Sequence, residues 1–218
     1  MRRDAVELRG GREAVLRPVG PGDKGRIAGA FRRLSRESRY RRFFRPLDEL
    51  PEPELDYLTE IDHHDHEAIL ALDPETDEAL GVARYVRLPG DPTRAEAAVA
   101  VVDDWQGRGL GRALLERLVD RAREEGIERF VALVQADNRR AIEVLSSLGP
   151  TGSVVEGGEV ELDIELPPRE GIGAALADAL RAAGGSLFST RRLSRRLAER
   201  ARALYEGSRR PRERARGP

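Results

Sequence analysis

The sequence predicts an α/β protein built around a mixed sheet, and three observations carry that prediction. Segments with the period of a strand and segments with the period of a helix alternate through residues 12–166. A run with glycine at every second position, Gly107, Gly109 and Gly111, joins a nearly continuous apolar strand to a long amphipathic helix. Apolar strands of that kind sit at the centre of a sheet covered on both faces. At Pro167-Pro168 the composition changes, which divides the chain into a domain over 1–166 and an Arg-rich extension over 167–218, helical or partly disordered.

Each element has its own local reason. Residues 12–19, REAVLRPV, alternate apolar and polar and read as a strand. Pro21-Gly22-Asp23 opens a helix with Ile27, Ala30, Phe31 and Leu34 at helical spacing. Short helices follow over 37–44 and after Pro51-Glu52-Pro53, the second with Leu55, Leu58 and Ile61 on one side. Residues 67–73 and 79–88 make a hairpin about the turn Pro74-Glu75-Thr76-Asp77. Another strand runs from about Arg94 to Val102 and is apolar from Ala97 onward. The helix after the glycine run spans about 109–125, with Leu110, Leu114, Leu115, Leu118 and Ala122 in one stripe, and stops at Gly126. Residues 129–135 read as a buried strand, and Asn138 caps a helix that ends at Gly149-Pro150. Strands over 151–156 and 159–166 meet at Gly157-Gly158. In the extension, helices are expected over 171–185 and 190–205.

Bulk composition removes several function classes. Charged residues make up 35% of the chain but the formal net charge is only −1, so bulk charge points to neither nucleic acid nor membrane. With no cysteine there is no disulfide framework, no Cys zinc site and no thiol nucleophile. No apolar run approaches the roughly 20 residues of a membrane span, and MRRDAVELRGG has no apolar h-region, so a cytoplasmic protein is expected. From Arg191 onward eleven arginines stand against three glutamates, a basic amphipathic stretch that could dock on the acidic domain, on a partner or on an anionic surface, or support a homodimer.

The glycine run asks what so bare a backbone touches. A P-loop needs G-x-x-x-x-G-K-[ST] and fails for want of a lysine. The dinucleotide fingerprint fails because the sixth residue from Gly107 is Arg112 and from Gly109 is Leu114. What remains is Q-x-x-G-x-G, Gln106 with Gly109 and Gly111, directly after a buried strand and opening a helix. Backbone N–H groups there can wrap a pyrophosphate at the positive helix end, with Arg108 and Arg112 adding charge-assisted contacts.

DDWQGRGLGRALL is similar to motif A, Q/R-x-x-G-x-G/A, of the GCN5-related N-acetyltransferase superfamily, and NRRAIEVLSSLGP over 138–150 resembles its N-x-x-A-x-x-x-Y-x-x-x-G-F segment. The resemblance covers roughly residues 12–166. It implies the GNAT fold, with a mixed central sheet of about six to seven strands flanked by helices, and acetyl-CoA as co-substrate without a metal. It implies that Gln106, Gly107, Arg108, Gly109, Leu110, Gly111 and Arg112 hold the pyrophosphate. It further implies that Val101 and Val102 pair with the pantetheine arm through main-chain groups and that Asn138 bonds it. More narrowly, SRESRYRRFF, LTEIDHHDHEAILAL and AEAAVAVVDDWQGRG resemble the acetyltransferase domain of bacterial protein-lysine acetyltransferases of the Pat type.

Acetyl transfer to an amine of pKa about 10 needs a base to remove its proton. Glu96 lies on the strand before the glycine run, among alanines, and the Pat-type resemblance implies that it is this base; otherwise it is an exposed glutamate at a strand entry. Leu145 departs from the pattern, since many relatives carry there a tyrosine that protonates the leaving thiolate. All three histidines fall in IDHHDHEAI, where alternation lets at most two residues share a side, too few for a metal site. His64 and Asp65 in that loop, whose default role is loop capping, and Tyr40, Phe44 and Tyr85, whose default role is packing, are candidates for the acceptor pocket, Tyr85 also being a candidate substitute for the missing acid. The expected function is an acetyl-CoA-dependent N-acetyltransferase that acts on a primary amine, foremost a protein lysine. A small-amine or amino-acid N-acetyltransferase and a non-catalytic acyl-CoA-binding module are the alternatives.

Overall fold

The computed structural model describes residues 4–168. The helices expected over 171–185 and 190–205, and the Arg-rich end, lie outside the described residues. The strands are β1 (Asp4–Leu8), β2 (Arg12–Pro18), β3 (His66–Leu72), β4 (Ala79–Leu88), β5 (Asp91–Val101), β6 (Arg129–Gln135), β7 (Thr151–Glu156) and β8 (Glu159–Glu165). The helices are α1 (Lys24–Arg32), α2 (Arg36–Phe43), α3 (Glu52–Thr59), α4 (Leu110–Glu124) and α5 (Arg139–Ser146).

All eight strands join one sheet in the order β1-β2-β3-β4-β5-β6-β8-β7. The expected six to seven strands are therefore corrected to eight, and the added one is β1. It pairs with β2 from Asp4–Leu16 to Leu8–Arg12, closed by Gly10 and Gly11 at φ 84° and 68°. Consecutive left-handed glycines suit a tight hairpin, whose twist matches the strands it joins.

Each helix goes where its apolar stripe can be buried. α4 lays Leu110, Leu114, Leu115 and Leu118 on one face of the sheet, against Leu80, Ala83, Tyr85 and Phe130. α5 adds Leu145 to the same core. On the opposite face Ile27 of α1 and Leu55 and Leu58 of α3 pack over Ala68 and Leu70 of β3. Ser35 starts α2 by accepting the Ser38 N–H at 3.1 Å, and Phe44, left-handed at φ 53°, ends it.

One pairing in the sheet stops short. β4 and β5 stay in register as far as Gly81–Val101, and β6 pairs with β8 along its whole length. β5 and β6 run parallel but pair only at Arg94–Arg129, Ala95–Phe130 and Glu96–Val131. Beyond Glu96 the two strands part, and the sheet opens into a V.

Candidate functional site

The parting exposes strand edge that no strand covers. The Val102 N–H donates to Leu80 O on β4 at 2.9 Å, so by alternation the main-chain groups of Val99 and Val101 point the other way, into the gap. The gap is a cleft of about 460 Å³ whose walls include Arg42, Tyr57, Arg84, Glu96, Asn138 and Leu145.

The glycine run sits just past the C-terminal end of β5. Gly107 and Gly109 have φ of 79° and 93°, a region that L side chains adopt only with strain. Gly109 is the N-cap of α4 and offers no side-chain cap. The N–H groups of Leu110, Gly111 and Arg112 therefore have no acceptor within the helix, at its positive end. The loop is braced around these free donors. Gln106 Nε2 donates to Val101 O and to Asp103 Oδ1, both at 3.1 Å. Arg108 Nε donates to Asp104 O, and Arg108 O accepts the Arg9 N–H from the β1–β2 turn at 3.0 Å. Across the gap, Asn138 Oδ1 accepts the Ala141 N–H at 3.2 Å and caps α5.

Glu96 stands where β5 and β6 part. It is half-buried, and burial raises its pKa above the ordinary carboxylate value, opposed by the charge of Arg42. Arg84 is 5% exposed. It donates to Leu58 O and to His66 Nε2, both at 3.0 Å. Burial, with Arg42 beside it, pushes its pKa down to about 9. A guanidinium that donates to His66 Nε2 requires that nitrogen to be unprotonated. Consistently, burial and the charge of Arg84 push His66 down to about 3, so it is neutral at neutral pH.

A signature described as the acetyltransferase (GNAT) family matches residues 32–149. The chain belongs to the GNAT family. It is 34% identical over 163 residues to an acetyltransferase, Pat, of Mycolicibacterium smegmatis, covering 75% of this chain and 49% of that one, so the chain spans about half the length of that relative. The GNAT domain of S. lividans PAT superposes with a TM-score of 0.69 at 32% identity, covering 75% of this chain and 97% of that one. The yncA protein of Salmonella typhimurium, solved with its cofactor acetyl-CoA, shares the fold at a TM-score of 0.57 and 20% identity, over 72% of this chain and 96% of that one.

Within the GNAT fold several expected site residues fall elsewhere. Both main-chain groups of Val102 are taken, its N–H by Leu80 O and its carbonyl by the Trp105 N–H, so the strand edge facing the gap belongs to Val99 and to the Val101 N–H, the Val101 carbonyl being held by Gln106. Tyr85 is wholly buried against α4, on the opposite face from Glu96, and its hydroxyl donates to His64 O at 3.1 Å. His64 contacts Glu125 at the end of α4, at 2.5 Å, and Asp65 pairs with Arg87 at 2.7 Å. Neither lines the cleft, because the loop turns its side chains toward the C-terminal end of α4. Tyr40 is 46% exposed on α2 and does not line it either, whereas Phe44 does. The sequence reading did not single out Arg42, Glu54, Tyr57 and Arg84, all of which line the cleft. An arginine inside the otherwise apolar GVARYV was the available signal for Arg84.

The loop geometry carries a prediction. A Cβ on Gly109 meets nothing within 4 Å, so the cost of Gly109→Ala is conformational alone. The variant is expected to lose about 1–2 kcal/mol, read as a lower urea midpoint. CoA affinity should fall with it, read by calorimetry, since relaxing φ re-aims the Leu110 and Gly111 N–H groups.

Proposed function

We propose that the chain transfers the acetyl group of acetyl-CoA to a primary amine, with Glu96 as general base. The carrying observation is the half-buried carboxylate at the point where β5 and β6 part. In this reading the Leu110–Arg112 N–H groups take the pyrophosphate, and the Val99 and Val101 edge and Asn138 take the pantetheine arm. Glu96 accepts a proton from the ammonium, directly or through a water. The amine nitrogen then bonds to the thioester carbonyl carbon and gives up a second proton to water, the C–S bond breaks, and CoA leaves as a thiolate that takes up a proton. Leu145 is 3% exposed and has no proton to give, so water supplies it. A thiol of pKa about 8.5 is a good enough leaving group for that.

A protein lysine is the acceptor that the likeness to Pat-type acetyltransferases supports. A small amine or amino acid is the second reading, favoured by the guanidiniums of Arg42 and Arg84 in the cleft. Incubation of a proteome extract with labelled acetyl-CoA tests the first. Labelled lysines on few proteins support it, and labelled small amines alone overturn it.

The Glu96 assignment has a pH consequence. The carboxylate must be ionised to act, and the Arg42 charge is what lowers its pKa against burial. Arg42→Gln is therefore expected to move the acidic limb of the kcat/KM profile to higher pH. An unchanged limb would detach Glu96 from catalysis.

A further inference from the structure

The cleft holds two guanidiniums that no carboxylate among the described residues pairs with. Of the arginines on its walls, Arg45 pairs with Glu54 at 3.3 Å, and Arg41 pairs with Glu37 at 2.5 Å and Asp137 at 3.4 Å. Arg42 and Arg84 make no ion pair among the described residues. The donors of Arg84 go to two neutral acceptors, Leu58 O and His66 Nε2, and its buried Nε–H has no acceptor. Arg42 stacks over Phe43, at 5.1 Å from the ring centroid. The charge of Arg42 disfavours that of Arg84, while Glu54 acts on both, and Glu96 on Arg42, only at a distance. Arg84 is buried and Arg42 half-buried with no carboxylate among the described residues within ion-pair distance of either, a costly placement that an anion between them would relieve. Planar guanidinium forks match a carboxylate.

The position of the pair says which anion. Arg84 pairs across the β4–β5 ladder with Ala98, and Val86 with Glu96. Arg84 and Glu96 are thus diagonal neighbours on one face of the sheet, roughly 7–8 Å apart along the strands. Both line the cleft, as does Arg42. We propose that Arg42 and Arg84 form a carboxylate subsite for the acceptor, and that the acceptor is a free α-amino acid whose amine lies beside Glu96. This rests on the acetyl-transfer reading and narrows its acceptor. Tyr57, whose ring is 5.0 Å from that of His66, forms a further wall.

The test compares L-amino acids with their carboxamides, which keep the amine and lose the carboxylate charge. With wild-type protein and acetyl-CoA, kcat/KM is expected to favour the acid over its amide on the order of 100-fold. Arg84→Gln would strip Leu58 O and His66 Nε2 of their donor and unsettle the fold, so Arg42→Gln carries the test. It should bring the ratio down to within about tenfold, through KM for the acid, with KM for acetyl-CoA unmoved. Amides that serve as well as acids, or a ratio that Arg42→Gln leaves intact, overturn the proposal, as does acetylation of lysine peptides with no use of free amino acids. If Arg42→Gln weakens use of succinyl-CoA but not the acid–amide ratio, the carboxylate belongs to the acyl chain and the acceptor assignment falls. A binding arm separates the two readings. The CoA-saturated protein should melt higher with the acid than with the amide, and Arg42→Gln should abolish the difference. That shift without any acetyl transfer keeps the subsite and sinks the proposed reaction; transfer without the shift does the reverse.

Discussion

Glu96→Gln is expected to lower kcat/KM for acetyl transfer by about 10²–10⁴-fold, the usual worth of a positioned general base. The amide has the shape of the carboxylate and none of its basicity, so acetyl-CoA affinity should stay as it was. The acidic limb of the pH profile should vanish with the group that produced it. Stability supplies a control on the opposite side. Burial raises the Glu96 pKa in the folded protein, so the fold prefers the protonated form. The stability this group contributes is present below its unfolded pKa and lost as pH rises through the higher folded one. Glutamine is never ionised and escapes that loss. The variant should therefore melt at least as high as wild type at neutral pH, the trade between stability and activity expected where a fold holds a group for chemistry. A variant that keeps full turnover would remove Glu96 from the mechanism. A variant that loses turnover and melts lower would assign the carboxylate to structure.

The elements were legible where the cause of each is local. The leucine stripe of α4, the glycines that start and stop it, the Asn138 cap and the Gly157-Gly158 turn lie within a few residues of what they determine, and each stands where periodicity put it. β1 was overlooked because DAVEL is a short, charged edge strand with little alternation to read, although Gly10-Gly11 marked its hairpin. The cleft is another matter. It exists because β6 follows β8 past Val131 while β5 follows β4, and no residue near Glu96 announces which neighbour a strand keeps. For the same reason the HHDH loop looked nearer the cleft than it is. The side chains of His63, His64 and Asp65 settle on Glu67, Glu125 and Arg87, and only His66 turns toward cleft residues, Arg84 and Tyr57. Arg42 and Arg84 come from α2 and β4 and meet only when α2 folds over the sheet.

The largest effect on stability is expected at a glycine with no unusual backbone angle. Gly149 ends the α5 segment, and a Cβ built there would lie 2.0 Å from Glu165 O and 3.2 Å from Glu165 C. Both are main-chain atoms, and that main chain cannot yield. The Glu165 N–H donates to Pro150 O at 2.8 Å, and the Leu166 N–H to Glu128 O at 2.9 Å, so the end of β8 is pinned from both sides. Gly149→Ala must then displace the crossing itself, and about 3 kcal/mol is expected to be lost, read as a lower urea midpoint at unchanged m-value. Gly29 gives the contrast within one molecule. It lies inside α1, and its Cβ would meet only Arg32 Nη2, at 3.9 Å, so Gly29→Ala should gain about 0.5–1 kcal/mol from helix propensity. The cost of the first substitution reaches the cleft. α5 carries the Asn138 cap at one end and Leu145 on the wall, and Gly149 is where it meets the sheet. Gly149→Ala protein that remains folded should therefore bind CoA more weakly, while Gly29→Ala, in α1 on the opposite side of the sheet from α5, should bind it as wild type does.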